Sequence, residues 1–375
     1  MRRSMLKYSY LATLGILCFS VLGLTFPNLI GRTTAGLPSY KNWGLVNTQA
    51  KSHIQALDAW KIEEGSRTIV VAVIDTGLDP NHADLAKNVW HDTKTSHLSF
   101  INGVYGWNFV TDKPNPMDDH GHGTHVAGII GAVANPKTGV SGVAHRVSIM
   151  SVKYYSDSNP GAINLRNTVK AINYAVEHGA KIINYSGGGP EFSEDEYLAI
   201  KKAEAAGVLF VAAAGNEHQD IDRSENYYYP SAYRLSNMIS VAATDINNNL
   251  LRSSNWGKNK VDVAAPGENI YSTLPGGRYG YMSGTSQATA FVTGLAALLL
   301  SQNPALKPQQ IKEIVSASSD RLSQLGGKVA SSGRVNAYKA LLWLREHPAS
   351  KLSNGLLAQH PTSFISTLTS PQNQE

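Results

Sequence analysis

Residues 68–74 form an unbroken run of β-branched and apolar side chains, and this run constrains the fold more than any other stretch. A strand that is apolar on both faces is typical of a parallel sheet covered by helices on both sides. Similar runs lie at residues 147–152, 180–184, 208–214, 238–244 and 261–265. Segments with helical features, at 164–178 and 193–207, separate several of them. This alternation predicts an α/β fold in three layers, with a mostly parallel central sheet and helices on both faces.

Further helices are predicted from composition and from capping signals. The stretch after Ser286 is rich in Ala and Leu and is too long for an ordinary strand, which favours a helix that begins near Ser286. A capping-box pattern, Ser193-x-x-Glu196, opens the helix that Gly207 closes. Two surface helices are predicted at residues 307–316 and 333–342.

The first 36 residues form a separate predicted segment. Cationic residues near the start (Arg2, Arg3, Lys7) precede an apolar stretch with no further charge until Arg32. This pattern is typical of a secretory signal peptide or of an uncleaved signal anchor, since it is long enough to span a bilayer. We expect an exported protein with a folded domain at residues 37–346, the alternative being a membrane-anchored one. Residues 347–375 are polar and rich in Ser, Pro and Gln, which predicts a disordered tail.

The charge of the chain says little about its partners. The formal net charge is +5, but the leader supplies four cations and no acid, so the remainder carries only +1. With 42% hydrophobic and 16% charged residues, the composition is neither disordered nor typical of a nucleic-acid-coating protein. The single cysteine, Cys18, lies in the leader. We therefore expect no disulfide and no cysteine-bound metal in the exported domain.

Polar residues stand where several of these elements begin or end. Asp75-Thr76-Gly77 follows the first buried strand, so Asp75 either caps a turn or belongs to a site, because sites of open α/β sheets lie at the carboxyl ends of strands. Ser286 either caps its helix or acts as a nucleophile beside free backbone N–H groups. Each residue taken alone leaves both interpretations open.

Three histidines (His120, His122 and His125) lie at the start of a buried helix. Their spacing lacks the glutamate of the helical zinc motif His-Glu-x-x-His, which disfavours a metal site. A histidine that opens a helix and faces a strand-end aspartate is better placed as a general base. We therefore expect His122 to transfer protons.

Together these residues suffice for acyl transfer without a cofactor. Ser286 would attack a carbonyl carbon, His122 would take and return the proton, and Asp75 would orient and stabilise the imidazole. Asn216 follows the buried run 208–214 and would donate its amide to the oxyanion, together with the backbone N–H of Ser286.

The chain resembles the subtilisin-like serine peptidases (subtilases) over about residues 40–342. Five motifs, in the family's order, carry the resemblance: Val73-Ile-Asp75-Thr-Gly77, His122-Gly-Thr-His-Val-Ala-Gly128, Ala213-Ala-Gly-Asn216-Glu217, Ala265-Pro-Gly267 and Gly284-Thr-Ser286. It implies a three-layer subtilisin-like fold and a secreted serine endopeptidase that works through an acyl-enzyme. It also implies an Asp75–His122–Ser286 triad with Asn216 as oxyanion donor.

The resemblance further implies a binding site for polypeptides. Ser186, Gly187 and Gly188 match the segment that pairs with the substrate and borders the pocket for the residue before the scissile bond. Lys153, Tyr154 and Tyr155 match the facing segment, so that a peptide would add as a strand between the two. Polypeptides are therefore the expected partners; nucleic acids are not, and a membrane is one only if the leader stays uncleaved.

Two structural features also follow from the resemblance alone. One is a calcium site involving Asp84, Asn135 and carbonyl oxygens of the loop to Val140, since oxygen ligands suit Ca²⁺. The alternative for Asp84 is an ordinary surface turn carboxylate, and both interpretations stay open. The other feature is a cis peptide bond between Tyr229 and Pro230.

The chain departs from the family pattern in three places. Gln287 and Ala290 stand where Met and Pro are common after the nucleophile, and Gly187 stands where a larger apolar residue is usual. Secreted members carry a folding-assistant propeptide, for which the residues before Tyr40 leave no room. We therefore expect either unaided folding or help from a second, propeptide-like chain.

The main alternative is a catalytically silent subtilase fold that serves as a binding protein. It is disfavoured because every triad residue is present. An esterase of the α/β-hydrolase type is excluded by motif, because Ala288 breaks the Gly-x-Ser-x-Gly pattern around Ser286.

Overall fold

The computed structural model describes residues 40–47, 51–92 and 104–347. The predicted leader and nearly all of the predicted tail lie outside these residues. Within them the strands are β1 (Gly65–Asp75), β2 (Gly106–Asn108), β3 (Lys113–Pro114), β4 (Arg146–Lys153), β5 (Ile182–Tyr185), β6 (Leu209–Ala213), β7 (Met238–Thr244), β8 (Val263–Pro266), β9 (Ile270–Leu274), β10 (Arg278–Met282), β11 (Asp320–Arg321) and β12 (Gly333–Arg334). The helices are α1 (Ala56–Ala59), α2 (His122–Gly131), α3 (Gly161–Glu177), α4 (Glu194–Ala205), α5 (Thr285–Gln302), α6 (Pro308–Ala317) and α7 (Ala337–Glu346).

The central sheet is mostly parallel, as the sequence predicts. Its strand order is β11-β12-β8-β7-β6-β5-β1-β4-β2-β3. The antiparallel pairs are at the edges, where β2 meets β3 and β11 meets β12. Because β1 lies between β5 and β4, the chain order reverses at β1, and ligand sites of open α/β sheets form at such a point.

Helices cover both faces of the sheet and confirm the three-layer α/β class. Along β1, Val71 and Val73 pack into the core that contains α2 and α5, whereas Ala72 and Ile74 pack into the core that contains α3 and α4. This alternation is the period of two expected of a strand. It explains why residues 68–74 are apolar throughout.

One helix prediction is wrong in its bounds. Residues 333–342 were expected to be helical, but Gly333 and Arg334 pair in the sheet as β12, and helix α7 begins only at Ala337. The side chain of Asn336 accepts a hydrogen bond from the backbone N–H of Lys339 at 3.0 Å and caps the helix. An Asn at this point is a start signal rather than a helix interior residue.

Two further features complete the frame of the site. Strands β9 and β10 form an antiparallel hairpin that packs on α2, which the sequence analysis did not predict. The Tyr229–Pro230 bond is cis, as the resemblance implies.

Among the described residues, no helix combines the length and apolar character needed to cross a membrane.

Candidate active site

Asp75 and His122 form a direct hydrogen bond. Asp75 is the last residue of β1 and only 4% exposed, while His122 is the first residue of α2. The distance from His122 Nδ1 to Asp75 Oδ1 is 2.7 Å. The same carboxylate oxygen accepts from the backbone N–H of Thr76 at 2.7 Å. A buried carboxylate so placed fixes His122 with its proton on Nδ1 and leaves Nε2 to accept a proton.

The electrostatics of the pair favour a basic imidazole. Burial lowers the pKa of His122, but the charge of Asp75 and its hydrogen bond outweigh burial and raise the pKa, with a further contribution from Asp118. His125, one turn further along α2, differs. Burial and the nearby His122 lower its pKa to about 3, so it stays neutral. Its Nε2 lies 3.0 Å from the carbonyl oxygen of Ile270, which ties α2 to the β9–β10 hairpin.

The start of α2 is held close to the end of β1. Asp118 accepts hydrogen bonds from the side chain of Thr76 and from the backbone N–H groups of His120, Gly121 and Thr124, at 2.8–3.0 Å. Burial raises the pKa of Asp118, but the hydrogen bond from the Thr124 hydroxyl and those from the three backbone N–H groups outweigh burial and lower it. A Cβ on Gly123 would lie 2.2 Å from the carbonyl oxygen of Gly77. Glycine therefore allows the contact that brings His122 to Asp75.

Ser286 is the second residue of α5, and both α5 and α2 begin at the same edge of the sheet. Helices α2 and α5 pack against each other, and a Cβ on Gly294 would lie 3.1 Å from the carbonyl oxygen of Ile130. Ile74 pairs with Tyr185 in the sheet, so the next residues, Asp75 and Ser186, lie beside each other at the strand ends. The Ser286 hydroxyl donates to the carbonyl oxygen of Ser186 at 3.2 Å. The hydroxyl of Ser286 is thus directed to Ser186 rather than to His122. Hydrogen bonds between catalytic groups often align only once substrate is bound.

Asn216 lies at the same helix start. Its Oδ1 accepts from the backbone N–H and the hydroxyl of Thr285, at 2.9 and 3.1 Å. Because the amide oxygen is engaged in this way, the Nδ2 group is turned away from Thr285 and is available as a donor. Asn216 and the N-terminus of α5 together form the kind of site that stabilises an oxyanion.

The predicted substrate segments lie next to these groups. Ser186 follows β5, and its hydroxyl donates to the backbone oxygen of Ser286 at 3.3 Å. Gly187 and Gly188 continue from there. A Cβ on Gly187 would lie 2.2 Å from the hydroxyl oxygen of Tyr154, which explains why the larger apolar residue of the family pattern is missing here.

Tyr154 and Tyr155, on the facing segment, have buried side chains, 6% and 7% exposed. The backbone N–H of Tyr154 donates to the carbonyl oxygen of Asp75 at 3.1 Å, which continues the pairing of β4 with β1. Burial, with the neighbouring Tyr185 and Asp75, raises the pKa of Tyr154 far above its usual value. Its ring therefore stays neutral. Pairing with a substrate strand remains a prediction.

Asp118 and Thr285 contact the candidate site residues or the helix starts that carry them, and neither was predicted from the sequence. Asp118 stands four residues before His122, and its many contacts are typical of an aspartate that organises a helix start. Lys153, the first residue of the predicted facing segment, has a buried ammonium at the end of β4, where it donates to the carbonyl oxygen of Thr76 at 2.9 Å and pairs with Asp119 at 2.5 Å. The sequence shows no signal for this contact.

The residues predicted to bind calcium come together, but their side chains as arranged do not fit a cation. Asp84 accepts hydrogen bonds from the Asn135 amide at 2.8 Å, the Thr138 hydroxyl at 3.1 Å and the Tyr279 hydroxyl at 2.8 Å. Both carboxylate oxygens thus already have donors, which a cation would have to displace. Among the described residues, no group of three or more His, Cys, Asp and Glu side chains converges as metal ligands do. Calcium binding stays an untested prediction.

The chain is similar to several known proteins. The model of the subtilase family matches residues 66–337. Thermitase of Thermoactinomyces vulgaris is 41% identical over 288 residues, 77% of this chain and 93% of thermitase. The major intracellular serine protease of Bacillus subtilis is 38% identical over 252 residues, 66% of this chain and 73% of that protein. The crystal structure of a lanthipeptide protease is similar with a TM-score of 0.63 and 27% identity, over 76% of this chain and 90% of that one.

Proposed function

This chain belongs to the subtilase family and is a serine-type endopeptidase, and on that basis we propose that Asp75, His122 and Ser286 are its catalytic triad, with Asn216 as oxyanion donor. The observation that carries the assignment is the 2.7 Å hydrogen bond between His122 and Asp75 at the start of α2. The nucleophile candidate Ser286 lies at the neighbouring helix start. Family membership identifies the reaction as hydrolysis of peptide bonds in polypeptides.

In the first step the enzyme is acylated. Nε2 of His122 takes the proton of Ser286 while Oγ bonds to the scissile carbonyl carbon, whose oxygen becomes negatively charged. Asn216 Nδ2 and the backbone N–H of Ser286 donate to this oxyanion. The C–N bond then breaks, and His122 gives the proton to the leaving amine. Asp75 stabilises the imidazolium between these two transfers.

In the second step water releases the product. His122 takes a proton from the water as its oxygen attacks the acyl carbon, and the same oxyanion donors act again. The ester bond to Ser286 breaks, and the proton returns to Oγ. The net reaction consumes one water for each peptide bond hydrolysed and restores the enzyme.

We extend the proposal to location and substrate placement. The cationic start and apolar stretch of the first 36 residues support export, with the alternative of anchoring by the same segment. The substrate would lie extended between Ser186–Gly188 and the facing Tyr154–Tyr155 segment. The mass of the N-terminal peptide of the protein recovered from culture medium and from membranes decides between cleavage and anchoring.

A serine-directed phosphonofluoridate tests the nucleophile. We expect it to label Ser286, to abolish hydrolysis of casein, and to label nothing in Ser286→Ala. That variant should keep the fold and lose at least about 10⁴-fold in kcat. Ser283→Ala, three residues earlier in the same region, is a matched control that should keep activity. Folded wild-type protein that hydrolyses no casein and is not labelled would instead support the catalytically silent binding protein.

A further inference from the structure

Two backbone segments enclose the space beside the candidate nucleophile. One is Ser186–Gly188 after β5, whose Ser186 oxygen accepts from Ser286; the other is Gly215–Asn216 after the neighbouring strand β6. In a bound polypeptide, the residue before the scissile bond has its Cα bonded directly to the carbonyl carbon under attack. Its side chain must therefore occupy space close to these segments.

The ring of Tyr228 spans the gap between them. A Cβ on Gly188 would lie 2.5 Å from Cε1 of Tyr228, and a Cβ on Gly215 would lie 3.0 Å from Cδ2. Cε1 and Cδ2 are diagonally opposite atoms of one ring, so the ring touches both segments at once. Glycine at both positions provides the room for an aromatic ring between two backbones.

Tyr228 is fixed in this position by its neighbours. It is partly buried and packs on an apolar cluster that includes Ala214 and Ile221. The next residue, Tyr229, pairs with Gly189 by two backbone hydrogen bonds of 2.7 and 2.9 Å, which ties the segment that carries the ring to the segment it touches. Moving the ring out of the gap would break this packing.

A second tyrosine narrows the same region from the other side. The hydroxyl of Tyr154 occupies the place that a side chain at Gly187 would need, and its ring lies edge-on to Tyr185 with centroids 5.4 Å apart. Aromatic side chains of the protein itself thus fill space on both sides of the Ser186–Gly188 segment.

We propose that Tyr228 is a specificity-determining residue, which makes the subsite for the residue before the scissile bond shallow and restricts it to small side chains such as Ala and Ser. The inference rests on the proposed function and names its substrate class. An aromatic substrate side chain would have to displace the Tyr228 ring, whereas a methyl group fits beside it.

Peptide p-nitroanilides that differ only in the last residue test this inference. For wild-type protein we expect kcat/KM to be at least tenfold higher with Ala than with Phe in that position. Tyr228→Ala should raise the Phe-to-Ala ratio of kcat/KM at least tenfold, whereas Tyr228→Phe, which keeps the ring, should keep the wild-type ratio. Tyr227→Ala is the matched control, because that ring stacks under Lys260 instead (4.2 Å to the centroid), and it should leave both substrates unaffected.

The possible outcomes separate this inference from the proposed function. Wild-type protein that is labelled at Ser286 yet prefers Phe overturns the inference alone, and so does a Tyr228→Ala variant with an unchanged ratio. Protein that is neither labelled nor active overturns the proposed function and the inference with it. If Tyr228→Ala does not fold, Tyr228→Leu keeps apolar packing with a smaller side chain. The cleavage sites of wild-type protein in unfolded casein give an independent readout, and cuts mainly after aromatic residues would contradict the inference.

Discussion

Hydrogen bonds in the candidate site hold single side chains in the orientation that their proposed roles require. Asp75 accepts from His122 and from the backbone of Thr76, which leaves the imidazole only one orientation. Asn216 is held by its oxygen so that its nitrogen is available. Such pre-organisation stabilises a transition state without reorganisation during the reaction.

The pH dependence of activity should report the pKa of His122. His122 must be neutral to accept the proton of Ser286, so kcat/KM should fall as the pH drops through the pKa of the free enzyme. Because Asp75 raises this pKa, we expect the midpoint above the usual value of about 6.5. In Asp75→Asn the midpoint should move to lower pH, with kcat about 10³- to 10⁴-fold lower. Asp157→Asn, which removes a carboxylate near His120, should change neither; an unmoved midpoint in Asp75→Asn would contradict the assignment.

Thr285 should act as a positioning residue through Asn216. Thr285→Val removes one of the two hydrogen bonds to Asn216 Oδ1 and leaves the backbone one. One such bond contributes about 1 kcal/mol, so we expect kcat to fall about fivefold with KM nearly unchanged. Asn216→Ala should cost more, about 10²- to 10³-fold, a range measured in subtilisin. Thr289→Val, whose hydroxyl donates to the Thr285 carbonyl oxygen, is the control; an equal loss in that variant would indicate a general effect on α5.

Helices α2 and α5 illustrate how whole elements deliver the site. Each begins with a residue of the predicted triad, or one position before it, and the two helices pack closely at Gly294. The predicted triad residues lie at helix starts and at a strand end, whereas the interior positions of both helices are buried and mostly apolar, with exceptions such as His125 and Thr289. The positions of the predicted triad residues are therefore set by where these strands and helices begin and end.

In helix α4 only half of the predicted capping box forms. Ser193 caps the helix, since its hydroxyl accepts from the backbone N–H of Glu196 at 3.2 Å. The other half of the predicted capping box does not form. The backbone N–H of Ser193 instead donates to Tyr233, and the buried Glu196 carboxyl lies 3.0 Å from the same hydroxyl. Burial raises the pKa of Glu196 to about 7, although the Tyr233 hydrogen bond lowers it.

Glu196→Gln should stabilise the protein at alkaline pH. Because the folded-state pKa of Glu196 is raised from 4.5 to about 7, the folded state holds this proton more tightly, and stability declines as the pH rises through 7. We expect the variant to melt several degrees above wild type at pH 9 and close to wild type at pH 4, below the ordinary pKa of 4.5. Thermal melts at both pH values check this. Glu194→Gln, at an exposed position of the same turn, should show no gain at pH 9, and neither should Glu196→Gln if Glu196 ionises normally.

At the scale of the molecule, Asp84 ties together parts of the chain that are far apart in sequence. Its donors come from the loop at Asn135 and Thr138 and from Tyr279 on β10. Each hydrogen bond to a buried charged acceptor contributes about 1.5–3 kcal/mol. This cluster holds the β9–β10 hairpin, and through it α2, against the body of the domain.

Melting experiments separate this cluster from a calcium site. Tyr279→Phe should lower the melting temperature by a few degrees, because it removes one donor from Asp84. Tyr281→Phe, on the same strand but 54% exposed, should not. Since three protein donors already satisfy Asp84, we expect EDTA to leave wild-type protein unchanged. A fall in melting temperature that added Ca²⁺ reverses would support the calcium prediction and contradict the hydrogen-bonded arrangement as the resting state.

Local patterns in the sequence predict the main buried strands and helices and the polar residues at their ends, but they miss the β9–β10 hairpin. Buried strands, Ala- and Leu-rich helices and the polar residues at their ends are local patterns, so Asp75, His122, Asn216 and Ser286 could be found from them. Residues 333–336 show the limit. Their pattern is compatible with a helix, but the position next to β8 makes part of them a strand.

Contacts between side chains that are distant in sequence can be seen only in the folded structure. Tyr228 reaches Gly188 across 40 positions and Gly215 across 13, and Tyr279 reaches Asp84 across 195. No periodicity or composition encodes such contacts, because they depend on which strand ends and loops the sheet places next to each other. The reaction type can therefore be predicted from local sequence motifs. The shape of the proposed subsite beside Ser286 depends on packing between segments.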